Sequence, residues 1–177
     1  MKVCAIFKMM PLVSCECETG VCECALDPFR ETREKIARFL VEKKGYRPEE
    51  IRQLVPLVVE IPGKRLYTKA DLVVEIDGHP ALCLRLNEGS VVSRERGTIA
   101  AARLLSPENP PPICVQGNGE EFSVLDTKTK KTLGHRLEDL PSREEMLKIL
   151  KQNRPRPLSP KQIEAERKIL FFYDGVG

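Results

Sequence analysis

Residues 67–87 read YTKADLVVEIDGHPALCLRLN, and the fold turns on how this stretch is parsed. Two apolar, β-branched runs, 70–76 and 81–86, flank Asp77-Gly78. That dipeptide closes two-residue hairpins well, because both turn positions need a positive φ. One acid, Asp71, heads the first run. Late in the second, Arg85 and Asn87 lie two apart and therefore on one side of the strand.

Upstream, residues 54–61 (LVPLVVEI) read as a further strand ending at Pro62-Gly63. Pro56 has no N–H to donate, which places at least its early part at a sheet edge. A helix opens before it at Asp27. An aspartate there accepts a free backbone N–H, and Pro28 suits the first helical position. Ile36, Phe39 and Leu40 then share a face that Phe29 extends, and Lys43-Lys44-Gly45 gives a cationic last turn and a glycine stop. Pro48-Glu49-Glu50 starts a short helical turn.

Downstream, 87–90 is a loop and 91–105 a helix with Ile99, Ala102 and Leu105 inward, weakened by Gly97. Short strands follow at 113–116, 121–126 and 131–135, the first two joined at Gly117-Asn118-Gly119. Ser142 and Glu145 have the spacing of a capping box for a helix through Leu150. Arg154-Pro155-Arg156-Pro157 is a linker, after which Ser159-Pro160 caps a last helix carrying Ile163, Ile169, Leu170 and Phe171. The order is helix, three strands, helix, two or three strands, then helices. It implies an α+β class, a mixed α/β sandwich.

At 177 residues the chain is long enough for one domain with a full core. A net charge of +3 is too small by itself to argue for nucleic acid, and the clusters Lys128/Lys130/Lys131 and Arg154/Arg156 read as solvated faces. No apolar run reaches membrane-spanning length. Leu12-Val13-Ser14-Cys15 has the look of a lipoprotein cleavage box, but Lys8 and Pro11 break the short stretch before it, so no export signal is assigned. The expected compartment is therefore cytoplasmic. No GxxxxGK[ST] loop is present, which excludes a nucleotide-driven motor from this chain. His79 and His135, both at turns, support no Ser-His-Asp arrangement.

Five of the seven cysteines precede Asp27. The odd count argues against a complete disulfide framework. Cys15-x-Cys17 and Cys22-x-Cys24 put four thiols in one short segment that offers a site for Zn²⁺ or a softer ion, although structural zinc pairs are usually spaced by two to four residues. The competing reading is a poorly ordered leader. The chain thus divides into a Cys-rich leader (1–26), a folded domain (27–153), and a linker with a C-terminal helix packing on it (154–177).

From Pro28 onward the sequence resembles the N-terminal nuclease domain of type I restriction endonuclease R subunits, a member of the PD-(D/E)xK superfamily. The resemblance rests on Arg33 and KKGY of the first helix, on GKRLYTKAD, and on DLVVEIDGHPALCL. It continues through Ala102-Arg103-Leu104-Leu105, ICVQGNGEEFSVLDTKTKK and DLPSREEM. The order and spacing of these segments make the set specific. It implies a restriction-endonuclease-like αβββαβ core with additional C-terminal helices. It also implies a Mg²⁺ site built from an Asp, a Glu on the next strand and a Lys two residues beyond, which together activate water against a phosphodiester.

Only Asp71 matches that set. Arg85 and Asn87 stand where the resemblance places Glu and Lys, Gly97 and Ala101 where it places a Gln-x-x-x-Tyr pair, and Phe29 and Arg30 where it places paired acids. Opposite unit charges about 4 Å apart attract by roughly 4 kcal/mol at an effective dielectric near 20, so an arginine for a ligand glutamate reverses a large term. The expected outcome is a catalytically impaired domain that retains the fold and binds DNA or a partner protein. Lys64, Arg65 and Arg85 are the nucleic-acid candidates, and an Asp71–Arg85 ion pair is expected in place of the metal. One alternative is an active Mg²⁺-dependent endonuclease rebuilt around Glu31 or Glu34. The other is an interaction protein whose working part is the cysteine cluster.

Overall fold

A computed structural model describes residues 27–152 and 156–175. Six strands form one mixed sheet in sequential order: β1 (Ile51–Ile61), β2 (Lys64–Ile76), β3 (His79–Leu86), β4 (Ile113–Gly117), β5 (Phe122–Asp126) and β6 (Thr132–Gly134). All neighbours are antiparallel except β3 and β4, which run parallel and are joined by helix α2 (Val91–Leu105). Helices α1 (Arg30–Lys44), α3 (Arg143–Gln152) and α4 (Pro160–Asp174) complete the chain.

The sheet is covered on both faces. Ile36 and Leu40 of α1 and Met146 and Leu150 of α3 pack on Leu72, Val74, Leu82, Leu84 and Val115. On the other face Ile99 and Ala102 of α2 meet Val73, Cys83, Cys114 and Leu125. Alternation of side chains across each strand supplies both sets. Cys83 and Cys114 are direct neighbours across β3 and β4, fully buried and unpaired, and burial pushes the Cys83 thiol up to about 12.

The central hairpin turns at Asp77-Gly78 with φ of 51° and 74°, both left-handed as that turn requires. β1 does lie at the sheet edge, where Pro56 is tolerated. β2 is six residues longer at its start than the apolar run indicated. The basic segment 64–69 pairs with residues 56–61 of β1, folding back through Pro62-Gly63 with Gly63 at φ 75°. α1 begins at Arg30 rather than directly after Asp27. The N-cap is Phe29, without a side-chain cap bond, and the Asp27 carboxylate instead accepts the Phe29 N–H at 3.1 Å in the turn that leads into the helix.

The β1–β2 hairpin changes sides part-way along. Ile51 packs with the α1/α3 cluster and Val55 with the α2 cluster, although both are odd-numbered. On β2, Ala70 faces α2 and Leu72 faces α1. The two breaks in alternation lie opposite each other, at Leu54 and Asp71, and Leu54 sits at φ 52°, an uncommon value for a side chain of its size. Beyond this point Leu57, Val59 and Leu66 lean on Ala100, Ala101 and Leu104 of α2 and Leu170 of α4.

α4 is fixed against α2 by close approach. A Cβ at Gly97 would come within 2.8 Å of Tyr173 Cγ, so the glycine that looked like a helix weakness is what lets the helices meet. Gly97→Ala gains about 1 kcal/mol of helix propensity but overpacks the crossing by roughly 1–3 kcal/mol. A net loss is expected, read as a lower urea midpoint with an unchanged denaturant slope.

Candidate functional site

Asp71 sits where β2 leaves β3. The last β2–β3 rung joins Leu72 to Leu84, so the Leu86 N–H has no strand partner on that side. The Asp71 carboxylate fills the gap, accepting the Leu86 N–H at Oδ2 over 2.7 Å. Its Oδ1 lies 3.5 Å from Nη1 of Arg33 and 4.0 Å from Nζ of Lys69. Asp71 is 3% exposed, and burial raises its carboxyl above the ordinary range despite that hydrogen bond and the cations Lys69, Arg33 and Arg85.

Arg33 comes from the buried stripe of α1, where Arg33, Ile36 and Leu40 recur at helical spacing. Its Nη2 donates to Asp27 Oδ2 at 2.6 Å. This bond is the main reason the Asp27 carboxyl is held below its usual value. The guanidinium therefore bridges two carboxylates.

Arg85 does not pair with Asp71, contrary to the sequence expectation. Alternation along β3 points it to the α2/α4 face, whereas Asp71 lies at the edge β2 vacates. Arg85 Nη2 donates to Asp174 Oδ2 of α4 at 2.6 Å and to Thr68 Oγ1 at 3.2 Å, while its Nε donates to the Lys69 carbonyl at 3.2 Å. Thr68 Oγ1 in turn donates to the same Asp174 oxygen at 2.8 Å. Along the sheet the polar row continues through Gln116, the Arg85 partner on β4, which is bonded to Thr98 of α2.

The remaining candidates are scattered. Glu31 is exposed, and at 100° per residue it points about 140–180° away from Arg33, Ile36 and Leu40, away from the sheet. Glu34 pairs with Arg30 on the solvent side. Lys64 and Arg65 sit at the β1–β2 tip, about 20 Å along the strand from Asp71. There Lys64 lies over the Phe171 ring and Arg65 pairs with Glu60. Cys15, Cys17, Cys22 and Cys24 lie outside the described residues. Among the described residues no three His, Cys, Asp or Glu side chains gather as a metal-binding group.

Those donors do not fit the Mg²⁺ that the resemblance implies. Magnesium is held by one or two ionised carboxylates together with waters. Here the one carboxyl is raised by burial, is already bonded to the Leu86 amide, and lies within 4.0 Å of two cations, Arg33 and Lys69.

The sequence profile of the type I restriction enzyme R protein N terminus matches residues 29–141. The chain belongs to that family. Its α+β fold, a six-stranded mixed sheet with the helices that follow, agrees with this membership. Among solved structures, the chain is similar to a fragment described as an HsdR subunit of a type I restriction enzyme from Vibrio vulnificus YJ016. The two share 15% identity and a TM-score of 0.49, over 67% of this chain and 24% of that one. This chain thus spans about a quarter of that fragment. No curated protein matches.

The segments that carried the resemblance also meet in space. Tyr46 of KKGY donates its hydroxyl to the Pro141 carbonyl of DLPSREEM at 3.0 Å, and Lys44 reaches the Glu138 carbonyl at 2.7 Å. Arg143 grips both oxygens of Glu50. Burial raises the Glu50 carboxyl, but Arg143 and the Arg47 backbone N–H together outweigh it and leave the group below its ordinary value.

Proposed function

We propose that this chain is an R-protein N-terminal domain in which ion pairs stand in for metal chemistry, so that it supplies a fold and a binding surface rather than a cleavage centre. The observation that carries the reading is the 2.6 Å contact of Arg85 with Asp174, at the position where the resemblance places a ligand glutamate. A divalent cation approaching Asp71 would meet Arg33 and Lys69 at Oδ1 and find Oδ2 already taken by the Leu86 N–H. The rebuilt-nuclease alternative finds no support in the outward direction of Glu31.

On this reading the cytoplasmic R protein's larger assembly does the cutting or translocating elsewhere. The domain contributes contacts to DNA or to a partner subunit, with Lys64 and Arg65 at the hairpin tip as the exposed cations. No helix among the described residues is long and apolar enough to cross a membrane.

The test is incubation of the purified chain with supercoiled plasmid and with single-stranded DNA, in EDTA, Mg²⁺ and Mn²⁺. The expected result is identical DNA in all three, with no heat of Mn²⁺ binding by calorimetry. Metal-dependent nicking that vanishes in Asp71→Ala would overturn the proposal.

A further inference from the structure

We propose that Arg85 and Thr68 form a phosphate-binding cradle, and that Asp174, at the end of α4, occupies it in cis as a removable plug. Two donors, the Arg85 guanidinium and the Thr68 hydroxyl, converge on one anionic oxygen at 2.6 and 2.8 Å. That is how a phosphate oxygen is held, with charge-assisted bonds from preset groups. The setting does not depend on α4. The Arg85 Nε is fixed on the Lys69 carbonyl and Nη2 on Thr68, both on β2.

The plug itself is placed against local preference. A helix C-terminus carries partial negative charge and favours bases, yet the last turn of α4 holds Asp174 and no base. What keeps the carboxylate there is the cradle. The buried anchors of α4, Glu166 and Leu170, lie a turn or more before it, and Phe172 beside it is 76% exposed. Terminal turns fray readily. Opening the last turn therefore frees the cradle while the rest of α4 stays seated. Tyr173, packed on Gly97 and accepting a hydrogen bond from Arg94 at its carbonyl (3.0 Å), is the catch that must slip.

A tethered carboxylate competes at an effective concentration of millimolar or more, so free phosphate binds the intact chain poorly. Asp71, whose carboxylate feels the Arg85 charge, limits affinity further by repulsion. The ligand class is a phosphate group, either free or on a nucleic-acid strand. The inference rests on the metal-free reading of the site, but its readout is separate. A failure here leaves that reading standing, and metal-dependent cleavage would remove that reading without a phosphate titration.

The experiment is calorimetric titration, in EDTA, of the parent chain, Asp174→Ala, and Asp174→Ala with Arg85→Gln. The probes are inorganic phosphate and a 5′-phosphorylated single-stranded oligonucleotide. Asp174→Ala is expected to bind inorganic phosphate at least tenfold more tightly than the parent, and the double variant to lose the gain. A stronger response to the oligonucleotide than to inorganic phosphate assigns the cradle to a nucleic-acid strand, and equal responses assign it to the free ion. Asp174→Ala that melts cooperatively but binds phosphate no better than the parent overturns the proposal. So does a double variant that binds as well as the single one. Asp174→Ser gives the same readout should the alanine variant fail to fold.

Discussion

Arg33→Met is expected to lower stability by roughly 3–5 kcal/mol at neutral pH, the usual consequence of removing one partner from a buried ion pair. Arg33 is 3% exposed and serves both Asp27 and Asp71. Methionine fills most of the volume, so what is lost is chiefly charge. Asp71 then stays buried with less compensation, and its carboxyl, already raised by burial, rises further. An acid whose folded-state pKa lies above its unfolded value costs stability as pH climbs past the unfolded value. The cost disappears once pH falls low enough to protonate both states. Asp27 acts with the opposite sign. Its lowered pKa adds stability above the unfolded value that is lost in acid, and that addition depends on Arg33. The gap between parent and variant is therefore widest near neutrality; the Asp71 cost shrinks as pH falls toward 4, and the Asp27 share is lost only below that, as pH drops through its lowered value. Urea unfolding at several pH values reads the gap, and a deficit that is constant with pH would show Arg33 to be packing alone.

Glu166→Gln should be nearly as damaging. Glu166 is 3% exposed and meets Arg96 and Arg103 at 2.7 Å each. Burial raises its carboxyl, but the two arginine contacts outweigh that and hold it below the ordinary value. Arg103 also donates to the Thr127 carbonyl at 2.9 and 2.6 Å and to the Lys128 carbonyl at 3.1 Å, tying α2 and α4 to the β5–β6 turn. Glutamine keeps the shape and removes the counter-charge, leaving two guanidiniums facing Lys130. Burial and these arginines already depress the Lys130 ammonium. A loss of roughly 3–5 kcal/mol is expected, equivalent to about 10 °C or more in Tm for a chain of this size. Arg103→Met with Glu166→Leu should recover only part of it, because Arg96 still loses its partner and the Thr127 and Lys128 carbonyls lose their donor. A Glu166→Gln variant that melts with the parent would show the network to be dispensable.

What the sequence made legible was local. Asp77-Gly78 has one comfortable conformation, the run 70–86 has one sensible pairing, and Ser159 with Gln162 closes the box that starts α4. Charged pairs at long range were not legible. Arg85 and Asp174 are 89 residues apart, and only the packing of α4 on α2 brings them together. Arg33 was visible as a family residue, yet an arginine on an apolar helical stripe gives no sign of which acids it serves. Asp174 did leave a trace, an acid in the last turn of a helix, where the dipole disfavours it. The expected Asp71–Arg85 pair failed for a reason of period. Simple alternation assumes a strand keeps its two faces throughout, and the hairpin changes faces at Asp71 itself.

That change of side gives the hairpin a mechanical character. Its outer arm, from Asp71 to the turn at Pro62-Gly63, is roughly 25 Å long at the rise of a strand, and it rests on α2 and α4 rather than on α1. The arm is clamped rather than hinged: Leu57, Val59 and Leu66 are buried against α2 and α4 along it, and Asp71 fastens its inner end to the Leu86 amide, so Lys64 and Arg65 are carried on a braced strand pair rather than on a loop.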